Sequence, residues 1–177
     1  MSDPYSLFST ADISRNEYAQ FLQEMNAIDV SATANHIYDA SIDEGAGSFY
    51  VRLDKGEDIE NRALIEYEDE QRQNLYTLLG GEPKTHMRFE VGKNHESQAV
   101  AVKFAAMIAE QYPCVVLSYV NHSYYTADQL LDLRNHGLGF DGFDWKGFNA
   151  IFEHLDDEED ETEEQPTDEL PPPPENA

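Results

Sequence analysis

Residues 85–120 read THMRFEVG (85–92), KNHESQ (93–98), AVAVKFAAMIAEQY (99–112) and PCVVLSYV (113–120). Met87, Phe89 and Val91 alternate with polar neighbours, the two-residue period of a half-buried strand. From about Glu96 to Tyr112 the chain is rich in Ala, Val and Met, and only Lys103 interrupts the apolar run between Ala99 and Ala109. A surface helix needs a polar face, so this one is expected to be enclosed by protein. The Tyr112-Pro113 pair ends it, because a residue before proline is pushed out of the helical region. CVVLSYV is then a short, β-branched run that suits a central strand. A strand–helix–strand heart follows, with its two strands expected side by side and parallel.

Working outward, Ser14-Arg15-Asn16-Glu17 has the Ser-x-x-Glu form of a capping box, and Tyr18, Phe21, Leu22 and Met25 follow at helical spacing. Residues 1–13 before it read as a flexible arm. Residues His36 to Asp43 and Ser48 to Leu53 alternate around the glycine-containing turn Glu44-Gly45-Ala46-Gly47, which signals a hairpin. Residues 54–67 carry both strand and helix signals. Glu68 to Leu79 reads as a helix with Leu75, Leu78 and Leu79 inward and Gly80-Gly81 as its end. After Val120, Asn121-His122-Ser123 makes a turn, Tyr124-Tyr125 a brief strand, and Thr126 caps a short helix running to Asn135. Helical spacing returns from Trp145 to Leu155. The fold class is α+β: a small mixed, mainly antiparallel sheet with a strand–helix–strand core and helices packed on one face. The single domain spans 14–155. Residues 156–177 hold eleven acids, no Lys or Arg, and four consecutive prolines, the composition of a disordered, hydrated tail.

Charge is the most informative property. Thirty-six acidic and eleven basic side chains give a formal charge of −25. The tail supplies −11 of it, which leaves −14 on residues 1–155. Such a field repels nucleic acid and anionic lipid and attracts basic surfaces. The expected partner is therefore a basic protein, with no direct nucleic acid and no membrane. No apolar run approaches the length of a membrane span, and the N-terminus has no signal-peptide pattern. The lone Cys114 lies in the central-strand run and reads as a small core residue. These features point to the cytoplasm.

Catalytic and cofactor signatures are weak. Neither GxGxxG nor GxxxxGK is present, and Ser41, Ser48, Ser97, Ser118 and Ser123 lack the GxSxG frame. The histidines 36, 86, 95, 122, 136 and 154 form no HxH or HExxH pattern, so no metal and no cofactor is expected. His95-Glu96, in a strand-to-helix loop, is the one adjacent pair of note. The binding candidate is the segment around FDGFDW, where Phe140, Asp141, Phe143, Asp144 and Trp145 interleave aromatics with acids on a glycine-flexed loop. Those are the materials of an interface anchor against a cationic surface. The competing use of the same aromatics is to close the domain's own core.

The runs GGEPKTHMRFEVGK (80–93), SQAVAVKFAAMIAEQYPCVVL (97–117) and YYTADQLLDL (124–133) resemble small acidic immunity proteins of bacterial toxin–immunity systems. The resemblance covers about residues 80–133 and implies a cytoplasmic inhibitor that binds a cognate toxin and blocks it. The long acidic, proline-rich tail departs from that pattern. The expected function is a non-enzymatic inhibitory binding protein, an immunity protein against a basic, nuclease-like toxin. The alternatives are a nucleic-acid mimic that inhibits a DNA-binding defence protein, and a hydrolase with an unrecognised site.

Overall fold

The enclosed helix is α3, His95–Ala109, capped by the Asn94 side chain, which accepts from the Ser97 N–H. The computed structural model describes residues 2–32 and 38–142. Around α3 run β1 (Ser2–Ser9), α1 (Arg15–Glu24), β2 (Ile28–Ala32), β3 (Tyr38–Glu44) and β4 (Gly47–Lys55). A π-helical turn, Ile59–Ala63, follows, and then α2 (Asp69–Leu79), β5 (Thr85–Gly92), β6 (Cys114–Ser118), β7 (Tyr124–Thr126) and α4 (Ala127–Asn135). The architecture is α+β. The seven strands form one sheet in the order β2-β3-β4-β5-β1-β6-β7, and every neighbouring pair is antiparallel.

Three expectations are corrected. Residues 2–9 are no loose arm: they form β1, hydrogen-bonded to β5 on one side and β6 on the other. The expected parallel pair is absent for the same reason. β5 and β6 do run in the same direction, but β1 lies between them and is antiparallel to both. Helices also cover both faces of the sheet. Alternation makes this necessary, since β1 sends Tyr5 and Leu7 to one side and Phe8 to the other, all of them buried.

On the first face, α3 lays Phe104 against Phe49 and Phe89 with ring centroids 5.4 to 5.8 Å apart. Leu7, Val51, Met87 and Val116 join this core, with Tyr18, Phe21 and Leu22 from α1 and Leu130 from α4. The Ser14–Glu17 capping box starts α1 where the sequence places it. On the second face, the π-turn and α2 press Ile59, Leu64, Leu75 and Leu79 onto Phe8 and Val115. Leu78, expected inward, is 47% exposed, because Leu75 and Leu79 already define the buried side of α2. The hairpin β3–β4 turns at Gly45, whose φ of +63° suits glycine. The expected helix 145–155 and the tail 156–177 lie outside the described residues.

Because Leu7 is fully buried at the centre of the sheet, Leu7→Ala should cost about 2–5 kcal/mol. Removal of residues 1–9 should abolish cooperative unfolding altogether. Urea titration followed by circular dichroism checks both, and an unchanged midpoint would mean that these residues are peripheral.

Candidate functional site

The anticipated binding segment is divided by the structure. Phe140 is buried, stacked on Tyr5 at 4.3 Å and tilted against Tyr125 at 5.2 Å. The Tyr125 hydroxyl donates to its carbonyl at 2.8 Å. Close approach of the loop to α3 is possible because position 139 is glycine: a Cβ there would sit 2.7 Å from the Gln98 backbone. Phe140 therefore closes the core and is corrected as an interface anchor. Asp141 is at the surface and pairs with His95 at the start of α3. Phe143, Asp144 and Trp145 lie outside the described residues.

The acids are unevenly placed. Residues 57–70 hold Glu57, Asp58, Glu60, Glu66, Glu68, Asp69 and Glu70 against one base, Arg62, a net of −6 in fourteen residues. This stretch forms the π-turn and the start of α2, the layer covering the second face of the sheet. Ile59 and Leu64 root it in the sheet, and Arg72 clips its corner. The Arg72 guanidinium donates to the Leu64 carbonyl at 2.6 Å and the Tyr67 carbonyl at 3.3 Å, and it pairs with Glu60 at 2.6 Å. Asp58 and Arg62 lie 3.9 Å apart. Within this acidic stretch Ile65 is 62% exposed, the most exposed large apolar side chain among the described residues. A π-helix is itself rare and recurs at functional positions.

Beneath the cap lies a polar row that the sequence patterns did not reveal. His86 Nδ1 is 2.9 Å from Asp54 Oδ2, and His86 Nε2 is 2.8 Å from Ser6 Oγ. Ser6 Oγ is 3.0 Å from the Tyr119 hydroxyl, which is 2.9 Å from that of Tyr67. Ser6, His86 and Asp54 are at most 1% exposed. Register explains the meeting: β1, β5 and β4 are adjacent, and His86 stands directly opposite both Phe8 and Asp54. Arg52 Nε approaches Asp54 Oδ1 to 3.4 Å without hydrogen-bond geometry, and Arg88 lies over the Tyr119 ring at 5.5 Å.

Serine, histidine and aspartate in this order of contact are the atoms of a nucleophilic triad. Other requirements of that chemistry are unmet among the described residues. Ser6 sits under the cap in a strand paired on both sides, so the backbone N–H groups around it are committed to the sheet and none is free as an oxyanion donor. The row accordingly satisfies buried polar atoms that would otherwise be costly. Burial pushes the His86 imidazole below the usual histidine range, with Arg52 and Arg88 in support, against the pull of Asp54. Burial likewise pushes the Cys114 thiol up to about 12, in keeping with an inert core residue.

Clefts also open elsewhere among the described residues. One, of about 400 Å³, lies between α1, the β3–β4 hairpin, α3 and α4, with Met25 and Met107 beside Glu24, Asp43, Lys103 and Arg134. Another, of about 340 Å³, is a shallow polar groove over Ser41, Tyr50 and Glu90 on the open part of the second face. Among the described residues no helix is long and apolar enough to cross a membrane. No protein-family model, curated protein or solved structure matches the chain.

The low basicity of His86 sets a sign for stability. The unfolded chain takes up this proton near pH 6.5, and the folded chain only at lower pH. Its contribution is therefore complete above about pH 6.5 and is lost as pH falls from there towards the folded value. Urea midpoints at pH 7.5 and 5.0 should differ, and the difference should shrink in His86→Gln. Equal midpoints in the parent chain would contradict the assignment.

Proposed function

We propose that the chain is a non-enzymatic inhibitory binding protein, an immunity protein that neutralises a basic, nuclease-like toxin by docking its acidic cap onto it. The observation that carries this reading is the cap itself: six net negative charges in residues 57–70, rooted in the sheet by Ile59 and Leu64 and braced internally by Arg72, with Ile65 exposed among them. A rigid surface loses little conformational entropy on docking. Its charge would accelerate encounter with a cationic partner, and an aliphatic contact at Ile65 would slow release. The inhibitor would act in the cytoplasm of the cell that makes it.

Of the alternatives, nucleic-acid mimicry calls for carboxylates in phosphate-like rows and has no use for an exposed isoleucine among them. The hydrolase alternative has the Ser6–His86–Asp54 row in its favour. Against it weigh the burial of Ser6 and the commitment of its oxygen to Tyr119. A fluorophosphonate probe distinguishes the two: Ser6 should remain unlabelled in the native chain, and stoichiometric labelling at Ser6 would overturn the non-enzymatic reading.

The direct test uses the basic protein encoded beside this gene, or one recovered from host lysate on the full chain. Its association rate should fall by about tenfold or more between low and high salt. Glu66→Lys with Glu70→Lys should slow association comparably at low salt. An association rate indifferent to both salt and charge reversal would remove the basis for the proposal.

A further inference from the structure

The row beneath the cap has a direction fixed by chemistry. A carboxylate accepts only, so the Asp54 contact requires hydrogen on His86 Nδ1. In the neutral ring Nε2 is then a lone pair and accepts from the Ser6 hydroxyl. Ser6 oxygen must in turn accept from Tyr119, and Tyr119 from Tyr67. Each hydroxyl owns one hydrogen, so while the ring is neutral the chain runs from Tyr67 to Asp54 and in no other sense. A second ring proton reverses the His86–Ser6 link and leaves the Ser6 hydrogen without its acceptor, and the row re-houses that hydrogen only by turning each remaining hydroxyl towards the cap. Nε2 donates to Ser6, Ser6 to Tyr119 and Tyr119 to Tyr67. Tyr67 then keeps its bond to Tyr119 only as acceptor, and its own hydrogen is left without an acceptor in the row.

Tyr67 is the cap's own residue. It lies between the π-turn and α2, packs edge-on against Phe8 at 6.3 Å, and offers its carbonyl to Arg72. We propose that His86 is a proton-operated latch on the acidic cap: neutral, it holds Tyr67 and the π-turn–α2 layer against the sheet, and protonated, it loosens that layer. The proposal rests on the cap being the docking surface, and it makes partner release the consequence of acidification. The groups around the ring are consistent with that sense. From β4 it meets Asp54 and Arg52, and from its own strand Arg88. Ser6 and the Phe8 ring, 4.8 Å away, face it from β1. Beyond β6 come Tyr119 and Tyr124, and from the cap Tyr67 and Tyr76. Among the described residues Asp54 is the acid that touches the ring, and it already holds Nδ1; Arg88 is itself paired with Glu90 at 2.8 Å, so the proton added at Nε2 meets the Ser6 hydroxyl and no carboxylate.

The experiment is amide hydrogen exchange on the full chain alone, expressed as protection factors at pH 7.5 and 5.0. Residues 57–79 should lose about tenfold protection relative to α3 at the lower pH. Tyr119→Phe cuts the row while leaving His86 in place. In that variant the protection of 57–79 should be lower at both pH values and equal between them. Tyr67→Phe serves the same purpose should Tyr119→Phe fail to fold. A constant ratio of cap to α3 protection in the parent chain overturns the latch, as does a pH-dependent loss that survives in the variant. Since no partner is present, flat exchange strikes the latch alone, and a salt-indifferent association rate strikes the docking surface alone.

Discussion

Everything in this fold depends on one strand serving two layers. β1 lies between β5 and β6, and its alternation sends Tyr5 and Leu7 into the core beneath α3 while Ser6 and Phe8 enter the layer beneath the cap. A central strand buried on both faces fixes register strongly, since a shift by one residue would exchange the two sets. Such a slip would put the Ser6 hydroxyl among Phe89 and Phe104 and place Leu7 against His86. The polar row and the apolar core therefore specify the same alignment from opposite sides.

Much of this was legible in the sequence. The all-round apolar character of residues 99–109 predicted the buried helix, and the Ser14, Thr126 and Gly80 signals marked the helix ends the structure contains. The glycine turn predicted the β3–β4 hairpin. β1 was missed for a physical reason. Pro4 breaks an already short run, and a proline normally argues against a central strand. It is tolerated because the ladder with β6 begins only at Tyr5. With β1 missing, β5 and β6 had to be placed side by side, and the parallel pair followed.

The site was less legible than the fold. Alternation in residues 85–92 sets His86, Arg88 and Glu90 on the face opposite Met87, Phe89 and Val91, and that was the available signal. What it meets depends on Ser6, Asp54 and Tyr119, separated by up to 113 positions along the chain and joined only by register. The aromatic density at Phe140 misled in the opposite direction. A ring that stacks on Tyr5 inside the domain reads, as sequence, the same as one offered to a partner. The acidity was visible as a total; its concentration on residues 57–70 mattered only once those residues formed a fixed outer layer.

The acidic cap is proposed to contact a basic protein directly. Zero-length carbodiimide coupling reads this most directly, since it joins a carboxylate to a lysine only where the two already touch. Coupling within the complex should be dominated by Glu66, Glu68, Asp69 and Glu70. Links drawn chiefly from Asp141, the 400 Å³ cleft or residues 156–177, with the cap unmodified, would contradict it.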